Sequence, residues 1–256
     1  MASYRYDGSF EGFLCAVAHC LDAGERHPEL IASRSEVDDS LFGGDVLEIP
    51  ASRDAAMAFR ERFVRVVSQQ AFASARYAFH SGNAGIERLV WEYLRLGLAV
   101  GGRLTGMLAH EPVYSVSRVA RQVAHEAHKF KGFVRFSEVE AGFLYAAIEP
   151  QADIVALIAP HFAGRIGDRP WMIHDLLRRR AAVFDLRSWR LVEDVELAET
   201  PELTEGENRY AALWRRYFQH HAISERHNPR LQQKHVPQRV RNHLTEFLPE
   251  NRLTDP

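Results

Sequence analysis

The chain has 256 residues, with 46 % hydrophobic and 26 % charged side chains and a formal net charge of −2. This composition suits a folded globular protein and excludes long disordered tracts and any whole-chain attraction to nucleic acid. Its apolar runs are short and broken by charge, so no membrane span is expected, and the opening MASYRYDGSF lacks the charged-then-apolar order of a signal peptide, which points to the cytoplasm.

In chain order, SYRYD predicts a short strand. Asp7 or Ser9 then caps a helix over about residues 10–23, with apolar positions Phe13, Leu14, Val17 and Leu21. That helix carries the two cysteines, Cys15 and Cys20, whose spacing points them to different faces. They suit neither a disulfide nor a zinc or iron–sulfur site, and no cofactor is expected. Residues 33–45 are polar and predict a loop, and VLEIP predicts a second short strand ended by Pro50. Ser52 opens a long helix through Phe59, Phe63, Val66, Val67 and Phe72, broken by Ser81-Gly82-Asn83. A further helix over about 84–100 ends at Gly101-Gly102.

Pro112 suits the first turn of a helix with Val113, Val116, Val119, Val123 and Ala127 on one face. Gly132 is expected to end it. The period then changes to two, so FVRFSEV and FLYAAIE predict strands around a turn at 140–142, followed by a helix from Asp153 to about Arg165 and the strands WMIHD and AAVFD. Residues 133–186 therefore predict an antiparallel β-β-α-β-β unit. The acidic stretch 193–207, with seven acids and no base, predicts a linker or surface loop. A helix over 207–222 carries Tyr210, Leu213, Trp214, Tyr217 and Phe218 at core spacing, with a partner-protein groove as its other role, and Pro229 and Pro237 cut the tail into short helices. The expected class is α+β: a helix-rich region with short strands over 1–108, and an α+β domain with C-terminal helices over 109–256.

Charge directs attention to the second part. Residues 1–115 hold 11 basic and 15 acidic residues, and residues 116–256 hold 21 and 19. Only three lysines occur, Lys129, Lys131 and Lys234, and two lie in HKFKGFVRF. On a strand, Lys131, Phe133 and Arg135 share a face, with Lys129 and Arg118 on the preceding helix. Cations flanking a ring can hold single-stranded nucleic acid, the charges on phosphates and the ring on a base. The basic turn Arg178, Arg179, Arg180 adds to this candidate surface. The competing reading is a helix end followed by a strand. Nucleophile and phosphate-loop motifs are absent. An alternative metal set, His125, His128, His161, His174 and Asp175, would suit a hydrolase of nucleic acid, although its spacing matches no zinc signature.

Five ordered stretches carry a resemblance: YDGSFEGFLCAV (6–17), EAHKFKGFVRF (126–136), EPQADIVALIAPHFAGRI (149–166), PWMIHDLLRR (170–179) and LWRRYF with RHNPRLQ (213–232). The chain resembles the bacterial family of radical-SAM-linked probable DNA metabolism proteins, which contains a C-terminal domain of unknown function, fused in some relatives to a uracil-DNA glycosylase domain. The resemblance implies an accessory role in DNA repair or modification, with DNA and a radical SAM protein as partners, a uracil-DNA glycosylase-like protein as a further one, and no membrane. Relatives carry aromatics in the tail where this chain has Val240 and Arg241. A non-catalytic protein adaptor is the remaining alternative.

Overall fold

The computed structural model describes residues 3–32, 46–197, 199, 201–221 and 228–248. The chain divides into two compact units, Met1–Ala124 and His125–Pro256, and the division falls inside one long helix. The expected loop over 33–45 lies outside the described residues.

The first unit opens on β1 (Ser3–Tyr6), which is the centre of a parallel sheet between β2 (Glu29–Ala32) and β3 (Val46–Glu48). Between β1 and β2 runs α1 (Phe10–Asp22). Ser9 caps it, its Oγ accepting from the Gly12 amide at 2.9 Å, while Asp7 Oδ1 accepts from the Ser9 amide and hydroxyl at 2.9 and 2.7 Å. A Cβ at Gly12 would lie 2.1 Å from Asp7 Oδ1, so a side chain there would displace Asp7 from its contacts with Ser9. Phe10 and Phe13 join Phe72 and Phe79 in an aromatic core. Cys15 and Cys20 are free and buried, and burial pushes the Cys20 thiol up to about 12.

The long helix expected from Ser52 is two helices, α2 (Arg53–Val66) and α3 (Gln69–Phe79). Ser68 takes an extended conformation and its Oγ accepts from the Ala71 amide at 3.0 Å, so it caps a new helix. The break turns Phe63 and Phe72 into one core, with ring centroids 6.1 Å apart. Next come α4 (Ile86–Val100) and a 3-10 helix over Gly101–Gly106. Then α5 (Glu111–Phe133) carries the chain into the second unit.

The second unit is a five-stranded sheet in the order β4-β5-β6-β7-β8, comprising Ser137–Glu138, Leu144–Ile148, Trp171–Asp175, Arg180–Phe184 and Trp189–Val192. The order strand, strand, helix, strand, strand is as expected, with β8 added at the edge. The sheet is not wholly antiparallel, because β5 and β6 pair in parallel. The helix between them, α6 (Val155–Arg165), is a crossover that returns the chain to run in the same direction. FVRFSEV is mostly not a strand. Helix α5 continues past Gly132 to Phe133, since Phe130 and Val134 are both buried and Val134 N donates to Phe130 O at 3.0 Å. Lys131 and Phe133 are therefore helical. One sheet face buries Leu144, Ala146, Ile148, Trp171, Ile173, Ala182 and Phe184, with Trp171 stacked on Phe184 at 5.4 Å and Phe162 of α6 edge-on to Trp171.

The acidic stretch is tied at both ends. Val195 N donates to Arg179 O at 2.7 Å, and Leu203 bridges antiparallel to Val139 beside β4. It leads into α7 (Glu205–His221), and α8 (Pro229–His235), α9 (Gln238–Arg241) and a 3-10 turn over Thr245–Phe247 complete the unit. The expected end of the α7 helix at residue 222 lies outside the described residues. No helix among the described residues is long and apolar enough to cross a membrane.

Gly97 of α4 is a close-approach position. A Cβ there would stand 2.8 Å from the Phe63 ring, which has no solvent exposure. Gly97→Ala should destabilise the chain by about 1–3 kcal/mol through overpacking, read as a lower urea midpoint with an unchanged slope.

Candidate nucleic-acid interface

The basic turn after β6 is built into the protein. Asp175 has no solvent exposure, and its Oδ1 accepts from the amides of Leu177 and Arg178 at 3.1 and 3.2 Å. Its Oδ2 takes Arg178 Nη1 at 3.0 Å. Burial pushes the Asp175 carboxyl above its usual range, and the Arg178 guanidinium pulls it back. Arg178 also donates to Pro150 O at 3.1 Å and to Gln151 O. The same loop is gripped from α5, where Glu126 accepts from the amides of Gln151 and Ala152, both at 2.9 Å, and pairs with Arg239 of α9 at 3.1 Å. Arg180 pairs with Asp153 and, at 2.8 Å, with Glu193; these carboxylates outweigh its burial and hold it charged. Glu149 pairs with His243 at 3.2 Å. Residues 149–153 are thus clamped on every side.

The sequence-nominated cations therefore divide. Arg178 and Arg180 are spent on the clamp. Arg179, in the left-handed region with φ +52, pairs with Glu196 at 2.5 Å and is more exposed. Arg135 caps the end of α5, donating to Gly132 O at 2.7 Å, and lies 3.7 Å from Glu246. Lys129 and Lys131 are half-buried and have no acidic partner among the described residues. Lys131 and Arg165 both stand near His161, and burial, then these two cations, push the His161 imidazole down. Phe133 is half-buried and edge-on to Phe130 at 6.3 Å. Arg118 is exposed in the first unit, without an acidic partner among the described residues.

The alternative metal set is not assembled. Among the described residues no group of three or more His, Cys, Asp or Glu could hold a metal ion. His125 and His128 are exposed on α5, His161 faces cations, and Asp175 is bound to Arg178. His174 is buried, with Nδ1 3.0 Å from the Tyr145 hydroxyl. Burial pushes its imidazole down; the Val195 backbone works the other way, without giving Nε2 a well-formed hydrogen bond.

The aromatic helix α7 differs most from expectation. Ala211 is its one buried residue among those described, and the rings placed in a core by spacing face outward: Tyr210 is 73 % exposed, Tyr217 53 % and Trp214 43 %. Trp214 stacks with Tyr217 at 5.7 Å, and Tyr217 with His221 at 4.1 Å. A groove of about 630 Å³ runs along them, lined by Arg135, Glu207, Tyr210, Leu213, Trp214 and Tyr217 among others. Periodicity identifies an amphipathic face but not what covers it, and no sequence signal distinguished this face from a core. In the tail, Val240 is buried and Arg241 lies over the Phe247 ring at 5.0 Å, so both side chains pack locally.

Two outcomes follow from this geometry. Arg178→Ala leaves the Asp175 carboxylate buried and unpaired, and should cost about 3–5 kcal/mol. Asp175→Asn added to it should recover part of that loss, measured by chemical denaturation. His174 has a folded pKa below its unfolded 6.5, so the stability it contributes is present above that value and lost as pH falls through it. The melting temperature should therefore drop between pH 7.5 and 5.5 by more in the native protein than in His174→Gln.

Residues 84–246, more than half of the chain, match the profile of DUF4130, a domain of unknown function. No curated protein matches the chain. The chain belongs to the DUF4130 family.

Proposed function

We propose that this protein is an accessory DNA-contacting factor in DNA repair or modification, acting beside a radical SAM enzyme that carries the iron–sulfur chemistry. The supporting observation is a set of cations on the second unit, Lys129, Lys131, Arg165, Arg209 and Arg216, that have no acidic partner among the described residues. Unspent cations can release counterions from a phosphate backbone, whereas Arg178 and Arg180 would first have to leave their carboxylates. With a net charge of −2, attraction to DNA must come from such unpaired side chains and not from the chain as a whole. The partnership with a radical SAM protein, and the further link to a uracil-DNA glycosylase-like protein, rest on the sequence resemblance alone. A metal-dependent hydrolase has no assembled ligand group behind it among the described residues.

Binding to a labelled oligonucleotide, titrated over salt, tests the reading. Lys129→Ala/Lys131→Ala should weaken binding equally for all sequences and flatten the log–log salt dependence by up to about one slope unit per lost phosphate contact. Wild-type affinity and slope in a stably folded double variant would remove this pair from the interface. Absence of DNA binding by the native protein at low salt would overturn the function itself.

A further inference from the structure

We propose that the exposed face of α7 is a stacking platform for single-stranded nucleic acid. This rests on the DNA-contacting reading and names the strand state and the residues. Tyr210, Trp214, Tyr217 and His221 recur at intervals of four, three and four, which places them in one row along the helix. Arg209, Leu213, Arg216 and His220 form a second row with the same intervals, about a quarter-turn round the helix. All eight residues are exposed, and neither arginine has an acidic partner among the described residues. Trp214, Tyr217 and His221 already stack on one another along this row, at 5.7 and 4.1 Å, so bases of a single strand extend that array from its open faces while Arg209 and Arg216 beside it take phosphates.

Charge complementarity selects the occupant. An apolar protein segment would need only the rings, and would leave Arg209 and Arg216 to be desolvated without partners. A polyanion uses both rows. Glu246, next to the groove-lining Thr245, is largely buried, pairs with Arg135 at 3.7 Å and accepts from Trp214 Nε1 at 3.1 Å. The unmatched carboxylates, Glu205 and Glu207, lie in the first turn of α7, so they repel phosphates there and bound the contact to residues 209–221. His220 and His221 direct Nδ1 at the carbonyls of Arg216 and Tyr217, at 2.9 and 3.1 Å, which fixes their rings at the other end. Strand state follows from access. In a duplex the base faces are stacked on one another, and rings on a helix surface cannot reach them; a single strand presents those faces.

The test uses the full chain and three fluorescent probes of equal length: oligothymidylate, the same backbone with abasic sites, and a hairpin duplex. The proposal expects oligothymidylate to bind at least about tenfold more tightly than the other two. Trp214→Ala and Tyr217→Ala should each lose roughly tenfold or more on oligothymidylate and little on the abasic strand. Arg209→Ala/Arg216→Ala should weaken all three probes alike. These side chains are exposed, so melting temperatures should stay near the native value, and Trp214→Phe should retain most of the affinity. Equal binding of duplex and single strand, unaffected by the ring substitutions, overturns the platform while leaving a DNA-contacting protein. Failure of every probe to bind overturns both. Concentration-dependent self-association that Trp214→Ala abolishes, without a preference for thymidine oligomers, assigns the face to a second copy and overturns the proposal.

Discussion

The guanidinium of Arg178 joins a carboxylate with no solvent exposure, Asp175, to two carbonyls of the loop before α6, Pro150 O and Gln151 O. Most of the second unit depends on this contact. Loop 149–153 must reverse the chain between β5 and its crossover helix, and its peptide groups need partners once buried. Glu126 satisfies the amides, Arg178 the carbonyls, and Arg180 holds Asp153. With the loop fixed, β5 and β6 come into parallel register from Leu144↔Trp171 to Ile148↔Asp175. The arrangement is all-or-none in character, because losing one partner leaves another buried charge exposed to the full cost of desolvation.

The clamp also sorts the cations. An arginine that holds a buried carboxylate and backbone carbonyls is a structural member and a poor phosphate ligand, since binding a phosphate would require those contacts to be given up. The DNA reading consequently shifts from the basic turn toward side chains without partners, on α5 and above all on α7. The segments around Glu126, 149–153 and Arg178 meet in the clamp, so these side chains are accounted for by folding. Chemistry is then to be sought elsewhere in the unit.

Much of the fold was legible in the sequence because it is written in local signals. Ser9 before Phe10, Gly101 after Val100 and the alternation in WMIHD each mark an element that is found where expected. Long-range choices were not legible. Gly132 reads as a helix stop, yet burial of Phe130 and Val134 carries α5 one residue beyond it. Val67-Ser68 reads as helix interior, and the need to bring Phe63 and Phe72 together breaks it there. The parallel β5/β6 pair follows from the crossover, which strand patterns alone do not reveal. At the candidate site, a run of three arginines reads the same whether it faces solvent or Asp175, and a ring stripe reads the same whether buried or bare.

The central claim is that the basic turn is structural and that α7 meets the nucleic acid. Ultraviolet crosslinking of a thymidine oligomer to the intact protein, with the modified peptides mapped by mass spectrometry, tests it most directly. Crosslinks should fall within residues 209–221, at Tyr210, Trp214 or Tyr217, and be competed away by unlabelled single strand. Crosslinks confined to peptides around Arg178–Arg180, with α7 unmodified, would contradict the account.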